Sequence, residues 1–254
     1  MKFFHSFFNS LYNLQFLALS RFQPITKSIV HVLFYLMIAC LPFVIVLSMT
    51  LTNGVKQLQS ILISDLPPFH LENGKLRTNS AEPYLNFEVI EGVFILDPAN
   101  HYSKNALFEL GEGIAFQEQE AVLFNYSVSQ TIPYTIIGDL DKEALLTWLN
   151  NLEGFLPLLI IIISLLSYSA VAGVAFLGIT LLAAIGLLLR GRRHKLHYRH
   201  LWLMSAYSTA SPVIVFAWLD IIAPVSIHPV FLILVTLFLL WLIIMRTPKG
   251  KPKL

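Results

Sequence analysis

The sequence predicts a polytopic α-helical membrane protein with four transmembrane helices and a small, β-rich α+β domain inserted between helices 1 and 2. Of its 254 residues, 56% are hydrophobic and only 13% are charged, whereas soluble domains carry about 25% charged residues. Uncharged apolar segments of spanning length recur along the chain, and nearly all acidic residues fall in one interval between them. A single cysteine, Cys40, excludes a disulfide framework.

A spanning helix needs about 20 apolar residues, because each residue adds about 1.5 Å and the hydrocarbon layer is about 30 Å thick. The predicted segments are an interfacial amphipathic helix within 1–28, transmembrane helix 1 at 29–51, an extracytoplasmic domain at 52–153, transmembrane helix 2 at 154–189, a basic cytoplasmic loop at 190–200, transmembrane helix 3 at 201–222, transmembrane helix 4 at 228–245 and a basic cytoplasmic tail at 246–254. Helix 2 is long for one crossing, and we expect its first turns to lie outside the bilayer or to tilt within it.

The charge distribution assigns the sides of the membrane. The three segments predicted to be cytoplasmic hold twelve basic residues and no acidic residue, whereas 52–153 holds fourteen acidic and five basic residues. Because basic residues are retained in the cytoplasm, both termini are predicted to be cytoplasmic and 52–153 extracytoplasmic. Folding 154–189 as a hairpin of two crossings would place the basic loop on the acidic side, so we reject it.

Aromatic residues recur at helical spacing near the N-terminus, where Phe3, Phe4, Phe7, Phe8 and Leu11 share one face. Two interpretations fit this stripe equally well. The helix lies in the cytoplasmic membrane interface, or it packs as an ordinary helix against the transmembrane bundle.

The outer domain is predicted to begin with a continuation of helix 1 through 55–63, which Pro67 ends. Alternation and apolar runs predict strands at 85–89, 93–96, 106–110, within 114–124 and at 134–137. Asn73-Gly74 and 111–113 are predicted turns. A final helix is capped by Asp141, with Leu140 and Leu145 in the staple positions, and it leads past Gly154 into helix 2.

No recognisable catalytic motif occurs in the sequence, so we predict a protein that is not an enzyme, with no catalytic residues, cofactor or metal. Three histidines, His194, His197 and His200, repeat in the basic loop at a spacing that could chelate a metal. The surrounding positive charge opposes a dication and favours anionic lipid. The candidate lipid-contact residues are Arg190, Arg192, Arg193, Lys195 and Arg199. Charge alone does not support nucleic-acid binding.

One polar patch in helix 3 is a candidate transport pathway, formed by Tyr207, Ser211 and Pro212 together with Asp220. Asp220 is the only acid in an apolar span, and intramembrane acids are functional candidates. The structural alternative is that hydroxyl groups satisfy the backbone around Pro212 and that Asp220, near the outer end, reaches interfacial water.

A stretch after helix 1, from Asp65 to Leu76, reads DLPPFHLENGKL and is followed by Glu82-Pro83. With the aromatic N-terminus, Arg21-Phe22 and the YRHLW run at 198–202, it resembles the maltodextrin-utilisation membrane protein family of Gram-positive bacteria, domain of unknown function family 1189. The resemblance covers nearly the whole chain. It implies a bacterial plasma-membrane protein of four spans, some relatives being associated with maltodextrin uptake, and it brings no active site.

We therefore expect a non-catalytic accessory or regulatory membrane protein associated with maltodextrin or oligosaccharide uptake. Its expected partners are a bilayer with anionic lipids and, through the resemblance, an oligosaccharide ABC importer. The alternative is a transport component in its own right that uses the polar pathway in helix 3. Neither expectation fixes the ligand of the outer domain or the oligomeric state.

Overall fold

The structure is a computed structural model that describes residues 2–64, 66–79, 82–89, 92–136, 138–191, 193, 195–222 and 229–248. The helices within these ranges are α1 (Lys2–Tyr12), α2 (Leu14–Leu19), α3 (Ile25–Ser64), α4 (Lys104–Glu109), α5 (Lys142–Leu189), α6 (Tyr198–Ser208), α7 (Ala210–Ile222) and α8 (Pro229–Met245). Single 3₁₀ turns lie at Ser20–Phe22 and Tyr134–Ile136.

Three helical segments in the described part of the chain are long and apolar enough to cross a membrane: Ile25–Ile63, Lys142–Leu189 and Tyr198–Ile221. The third consists of α6 and α7, which are separated at Thr209, three residues before Pro212. A proline ring removes a backbone donor and crowds the preceding turn, which accounts for a break at this point. The fourth predicted span corresponds to a shorter apolar helix, Val230–Met245.

The chain divides into two compact units, which we name the bundle (1–46 and 161–254) and the β domain (Leu47–Ile160). Within the bundle, the Phe7 ring is buried and lies 4.9 Å from the Phe34 ring, so α1 packs against α3. Phe4 and Phe8, on the same helix, are exposed. The buried side of α1 agrees with packing against the bundle. The exposed rings of Phe4 and Phe8 are compatible with a position in the membrane interface, which stays a prediction.

The β domain contains two sheets, of order β2-β1-β8 and β3-β4-β5-β6-β7 among the described residues. The strands are β1 (Phe69–Glu72), β2 (Lys75–Thr78), β3 (Tyr84–Val89), β4 (Gly92–Asp97), β5 (Glu112–Gln117), β6 (Glu120–Asn125), β7 (Val128–Pro133) and β8 (Leu140–Asp141). All pairs are antiparallel except β4 with β5. Asn73 and Gly74, both with positive φ, form the predicted turn between β1 and β2.

Side chains of a strand alternate between the two faces of a sheet. Both faces of the five-stranded sheet carry buried side chains that pack against other elements. Val93, Ile95 and their neighbours pack with Leu107 of α4 on one face. Phe94 and Leu96 point to the other face, where they share a core with the end of α3, the start of α5 and the smaller sheet. This second core contains the candidate site.

Several predicted boundaries hold. α3 continues without interruption to Ser64, as expected for a helix that Pro67 ends. The final helix begins at Lys142, and the Ala144 N–H donates to Oδ1 of Asp141 at 2.7 Å, which confirms the cap. It then continues as one helix through Gly154 to Leu189.

Two strand predictions need correction. The run at 106–110 belongs to α4, because Ser103 accepts a hydrogen bond from the Ala106 N–H and caps a helix there. The run at 134–137 begins with a 3₁₀ turn, and the preceding strand β7, largely exposed, lacks the apolar alternation that would have revealed it. The prediction of strand structure within 114–124 holds, because this segment contains parts of β5 and β6, which reverse at Glu118-Gln119.

Candidate functional site

The β domain encloses a cavity of about 450 Å³. Its wall combines the last turns of α3, the first turns of α5, both sheets and the 3₁₀ turn before β8. The lining residues are Leu58, Ile61, Leu62, Leu66, Phe69, Leu71, Leu76, Phe94, Leu96, Phe116, Tyr134, Leu140, Leu145, Trp148 and Leu149. A volume of this size is within the range of about 300–1,000 Å³ typical of small-molecule sites.

The sequence places apolar side chains toward the cavity through two simple periodicities. Leu58, Ile61 and Leu62 recur at the spacing of one helix face in α3. In the strands, alternate positions point inward, as with Phe69 and Leu71 of β1. The cavity therefore lies where helix faces and sheet faces meet, and its wall is almost wholly hydrocarbon.

Tyr134 lines the cavity, and its hydroxyl oxygen is buried within the surrounding protein. Its side chain is 1% exposed, and its hydroxyl has no hydrogen-bond partner within the described part of the chain. Burial, and to a lesser degree the charge of Glu120, raise the pKa of the Tyr134 hydroxyl above its ordinary range. A buried hydroxyl without a partner costs about 1–3 kcal/mol of stability.

The physical character of the cavity selects what it can bind. Cavities lined by Leu, Ile and Phe exclude water and accept apolar molecules, because few polar atoms are present to hold water in place. An oligosaccharide needs several hydrogen-bond partners, and among the lining residues that the structure describes only Tyr134 and Trp148 carry side-chain polar groups. The cavity therefore suits a largely apolar ligand.

The two helices of the wall are also joined by polar contacts. The Gln59 amide donates to Oδ1 of Asn150 at 3.1 Å and to Oε2 of Glu153 at 3.2 Å. The Lys142 ammonium donates to the Leu66 carbonyl oxygen at 2.6 Å. These contacts hold the end of α3 against the start of α5, and the apolar lining residues lie alongside them.

The predicted pathway residues of the third apolar segment do not form one group. Tyr207 and Pro212 are buried, Ser211 is half-buried, and Asp220 is exposed near the end of α7. Thirteen residues separate Tyr207 from Asp220, which is about 20 Å along a straight helix. A site that uses both residues needs further groups between them.

Tyr207 instead belongs to a buried polar cluster in the bundle. Its ring stacks on His31 with centroids 4.2 Å apart, and Nε2 of His31 lies 3.3 Å from the Ser10 hydroxyl. Nearby, the hydroxyls of Tyr35 and Thr209 are 2.8 Å apart. Sequence reasoning gave His31 and Tyr35 no role, although their i, i+4 spacing in an apolar helix places them on one face.

The basic loop divides into buried and exposed residues. Arg193 is 8% exposed and donates from Nε to the Thr247 carbonyl oxygen at 3.2 Å and from Nη2 to the Met245 carbonyl oxygen at 3.1 Å. Arg190 donates to the Leu196 carbonyl oxygen. Lys195 and Arg199 are exposed. Arg192, a fifth candidate lipid contact, lies outside the described residues.

Two histidines of the repeat, His197 and His200, form a hydrogen bond at the start of α6. His200 Nδ1 accepts a hydrogen bond from the His197 N–H at 3.3 Å and so caps the start of α6. His194 lies outside the described residues. In the part of the chain that the structure describes, no group of three or more His, Cys, Asp or Glu side chains is placed to hold a metal ion.

The fold and cavity define a class of protein: a helical protein with segments of membrane-spanning length and composition, into which a β domain with an apolar cavity is inserted. The chain belongs to the DUF1189 family, described as a protein of unknown function, since that family's model matches residues 4–244. No curated protein and no solved structure matches the chain. The match confirms the predicted domain-of-unknown-function family, and maltodextrin use and a bacterial source enter below as proposals.

Proposed function

We propose that this protein is a non-catalytic accessory or regulatory membrane protein whose β domain binds a ligand outside the cell and whose bundle docks onto another membrane complex. The observation that carries this proposal is the cavity wall. Leu58, Ile61 and Leu62 come from α3, and Leu145 and Leu149 come from α5. A ligand in the cavity therefore contacts both helices that continue into the long apolar segments.

This arrangement supports regulation because both helices are continuous. α3 extends over Ile25–Ser64 and α5 over Lys142–Leu189. A ligand that favours one spacing of the two helices at the cavity shifts the equilibrium between their arrangements, by as much as its affinities for those arrangements differ. The proposed output is a change in how the bundle meets its partner.

The proposed topology has four spans in a bacterial plasma membrane, with both termini and 190–200 in the cytoplasm and 52–153 outside. It rests on the charge distribution and on the three long apolar helices, to which the shorter α8 is added as the fourth span. Replacing Cys40 by Ser and introducing Ser127→Cys or Lys195→Cys singly tests it. An impermeant maleimide should label intact cells only at position 127.

The proposed partner is an oligosaccharide ABC importer, a link that rests on the family resemblance. The apolar cavity has few hydrogen-bond partners for a sugar, so we propose that the importer contacts the bundle and not the cavity. The test is mild-detergent affinity purification of the tagged protein from cells grown with and without maltodextrin. Stoichiometric importer subunits support the proposal, and recovery of the protein alone under both conditions contradicts it.

The second candidate is a transport component in its own right, favoured by the buried cluster around Tyr207 and His31. Asp220→Asn and Tyr207→Phe test it in an uptake assay. Loss of uptake at unchanged protein level supports the pathway. Unchanged uptake in both variants contradicts the transport pathway.

A further inference from the structure

We propose that the cavity of the β domain holds one hydrocarbon chain of a membrane lipid taken from the outer leaflet. This inference rests on the proposed function, because it names the ligand class of the same site. It adds a source and a route for that ligand.

The chemistry of the wall points to a hydrocarbon chain. Thirteen of the fifteen lining side chains are Leu, Ile or Phe, and the remaining two are Tyr134 and Trp148. Engineered cavities of about 150 Å³ with such linings bind one benzene-sized molecule, and this cavity measures about 450 Å³. An elongated chain is the apolar group that fills such a volume while continuing outside it.

The position of the mouth points to the bilayer as the source. Trp148 lines the cavity and is 59% exposed, and Leu58 and Leu145 are half-buried, so we place the mouth of the cavity beside these three side chains. Leu58 lies seven residues beyond the proposed end of the first span at 51, and Trp148 lies six residues before 154. Along a helix these separations are about 10 Å and 9 Å.

An exposed tryptophan at this height has the character of an interfacial residue, with an apolar body and a polar N–H. A lipid chain that leaves the outer leaflet along this side of α3 and α5 would meet Trp148 first and then the leucine-lined interior. None of the lining residues that the structure describes is charged.

The test uses the full chain in vesicles that contain phosphatidylglycerol with a diazirine near the end of one acyl chain. After photolysis, adducts are mapped by mass spectrometry. We expect adducts on residues within 58–76 and 134–149 besides those on the apolar spans. Adducts confined to the spans would overturn the proposal.

Two variants at neighbouring positions sharpen this test. Leu145→Trp places an indole ring in the volume that the chain would occupy and should lower cavity adducts at least about tenfold, which is a loss of about 1.4 kcal/mol in binding. Leu146→Trp is the matched control, because Leu146 packs on the same core and does not line the cavity. Equal adduct yields in the two variants contradict the proposal.

A second arm distinguishes the source of the chain. A free fatty acid with the same diazirine replaces the phospholipid in otherwise identical vesicles. Cavity adducts from the fatty acid alone overturn the bilayer-lipid source. Failure of importer subunits to co-purify would contradict the docking function while leaving these adducts unchanged, so the two proposals fail separately.

Discussion

The side-chain amide of Gln59 donates a hydrogen bond to Oδ1 of Asn150 at 3.1 Å, which joins the C-terminal part of α3 to the N-terminal part of α5. The two residues are 91 positions apart in sequence. Their contact helps to set the spacing of the two helices that form one side of the cavity. The account of ligand-coupled regulation depends on this spacing.

We expect Gln59→Cys and Asn150→Cys, combined in a Cys40→Ser background, to react with a short bis-methanethiosulfonate reagent as one cross-linked species. The hydrogen bond between the native side chains places the two positions within its reach. Protease cleavage in the β domain followed by non-reducing electrophoresis detects the link. Gln59→Cys with Glu143→Cys is the control, because position 143 lies seven residues, about 10 Å, from position 150 along the same helix. Equal cross-linking of both pairs would contradict the described packing.

The buried carboxylate of Asp97 is expected to stabilise the β domain. It is 0% exposed, accepts a hydrogen bond from the Tyr102 N–H at 2.8 Å and lies 3.0 Å from Nδ1 of His101. Asp97→Ala leaves the Tyr102 donor without its partner, so we expect a loss of about 1–3 kcal/mol. Thermal unfolding of the full chain in detergent measures it.

His101→Ala is the comparison for that variant, because the His101 side chain is half exposed. It should lower stability much less than Asp97→Ala does. Equal effects of the two substitutions would show that the contact with His101, and not the backbone N–H, carries the stabilisation.

We expect the buried Tyr134 hydroxyl to make the stability of the β domain fall at alkaline pH. Its pKa is raised by burial, so the folded state binds the hydroxyl proton more tightly than the unfolded state does. The stability from this group is fully present below its unfolded pKa of about 10 and is lost as pH rises toward the folded pKa. Wild type should therefore lose more stability than Tyr134→Phe between about pH 9 and pH 11.

Chemical denaturation of both proteins at the two pH values, followed through a probe in the β domain, measures this difference. Identical pH dependence would show that the hydroxyl is not desolvated in the folded state. At neutral pH, Tyr134→Phe should match or exceed the stability of lipid-free wild type, because it removes an unpaired buried hydroxyl.

Arg193 is expected to anchor the end of α8. Its buried guanidinium donates to the carbonyl oxygens of Met245 and Thr247. Arg193→Lys cannot reproduce this two-branched contact, so carboxypeptidase should trim the C-terminus beyond Met245 faster than in wild type. Arg199→Lys, at an exposed position, is the control and should leave the rate unchanged. Faster trimming in both variants would assign the effect to loop charge instead.

The sequence allowed the local architecture to be predicted wherever one short-range signal dominated. Asp141 before a helical pattern, Asn73-Gly74 between short strands and Pro67 after α3 each determine a boundary through backbone chemistry. The run at 106–110 was misassigned because its apolar residues suit either periodicity, and the deciding signal was the Ser103 cap.

The cavity could not be predicted from the sequence. Its wall joins Leu58 to Leu149 and Phe69 to Phe116, contacts that depend on how two helices and two sheets pack. Tyr134 in the sequence is one aromatic residue among many in the domain, and its unpaired hydroxyl appears only once its neighbours are placed. The stacking of His31 on Tyr207 likewise joins positions 176 residues apart.

The most direct measurement of the central claim is native mass spectrometry of the full chain released from a mild detergent, comparing wild type with Leu145→Trp and Leu146→Trp. The account predicts one retained lipid on wild type and on Leu146→Trp, and a bare chain for Leu145→Trp. The same lipid occupancy in all three proteins, or a bare chain in wild type, would contradict the claim that the β domain binds a lipid in this cavity.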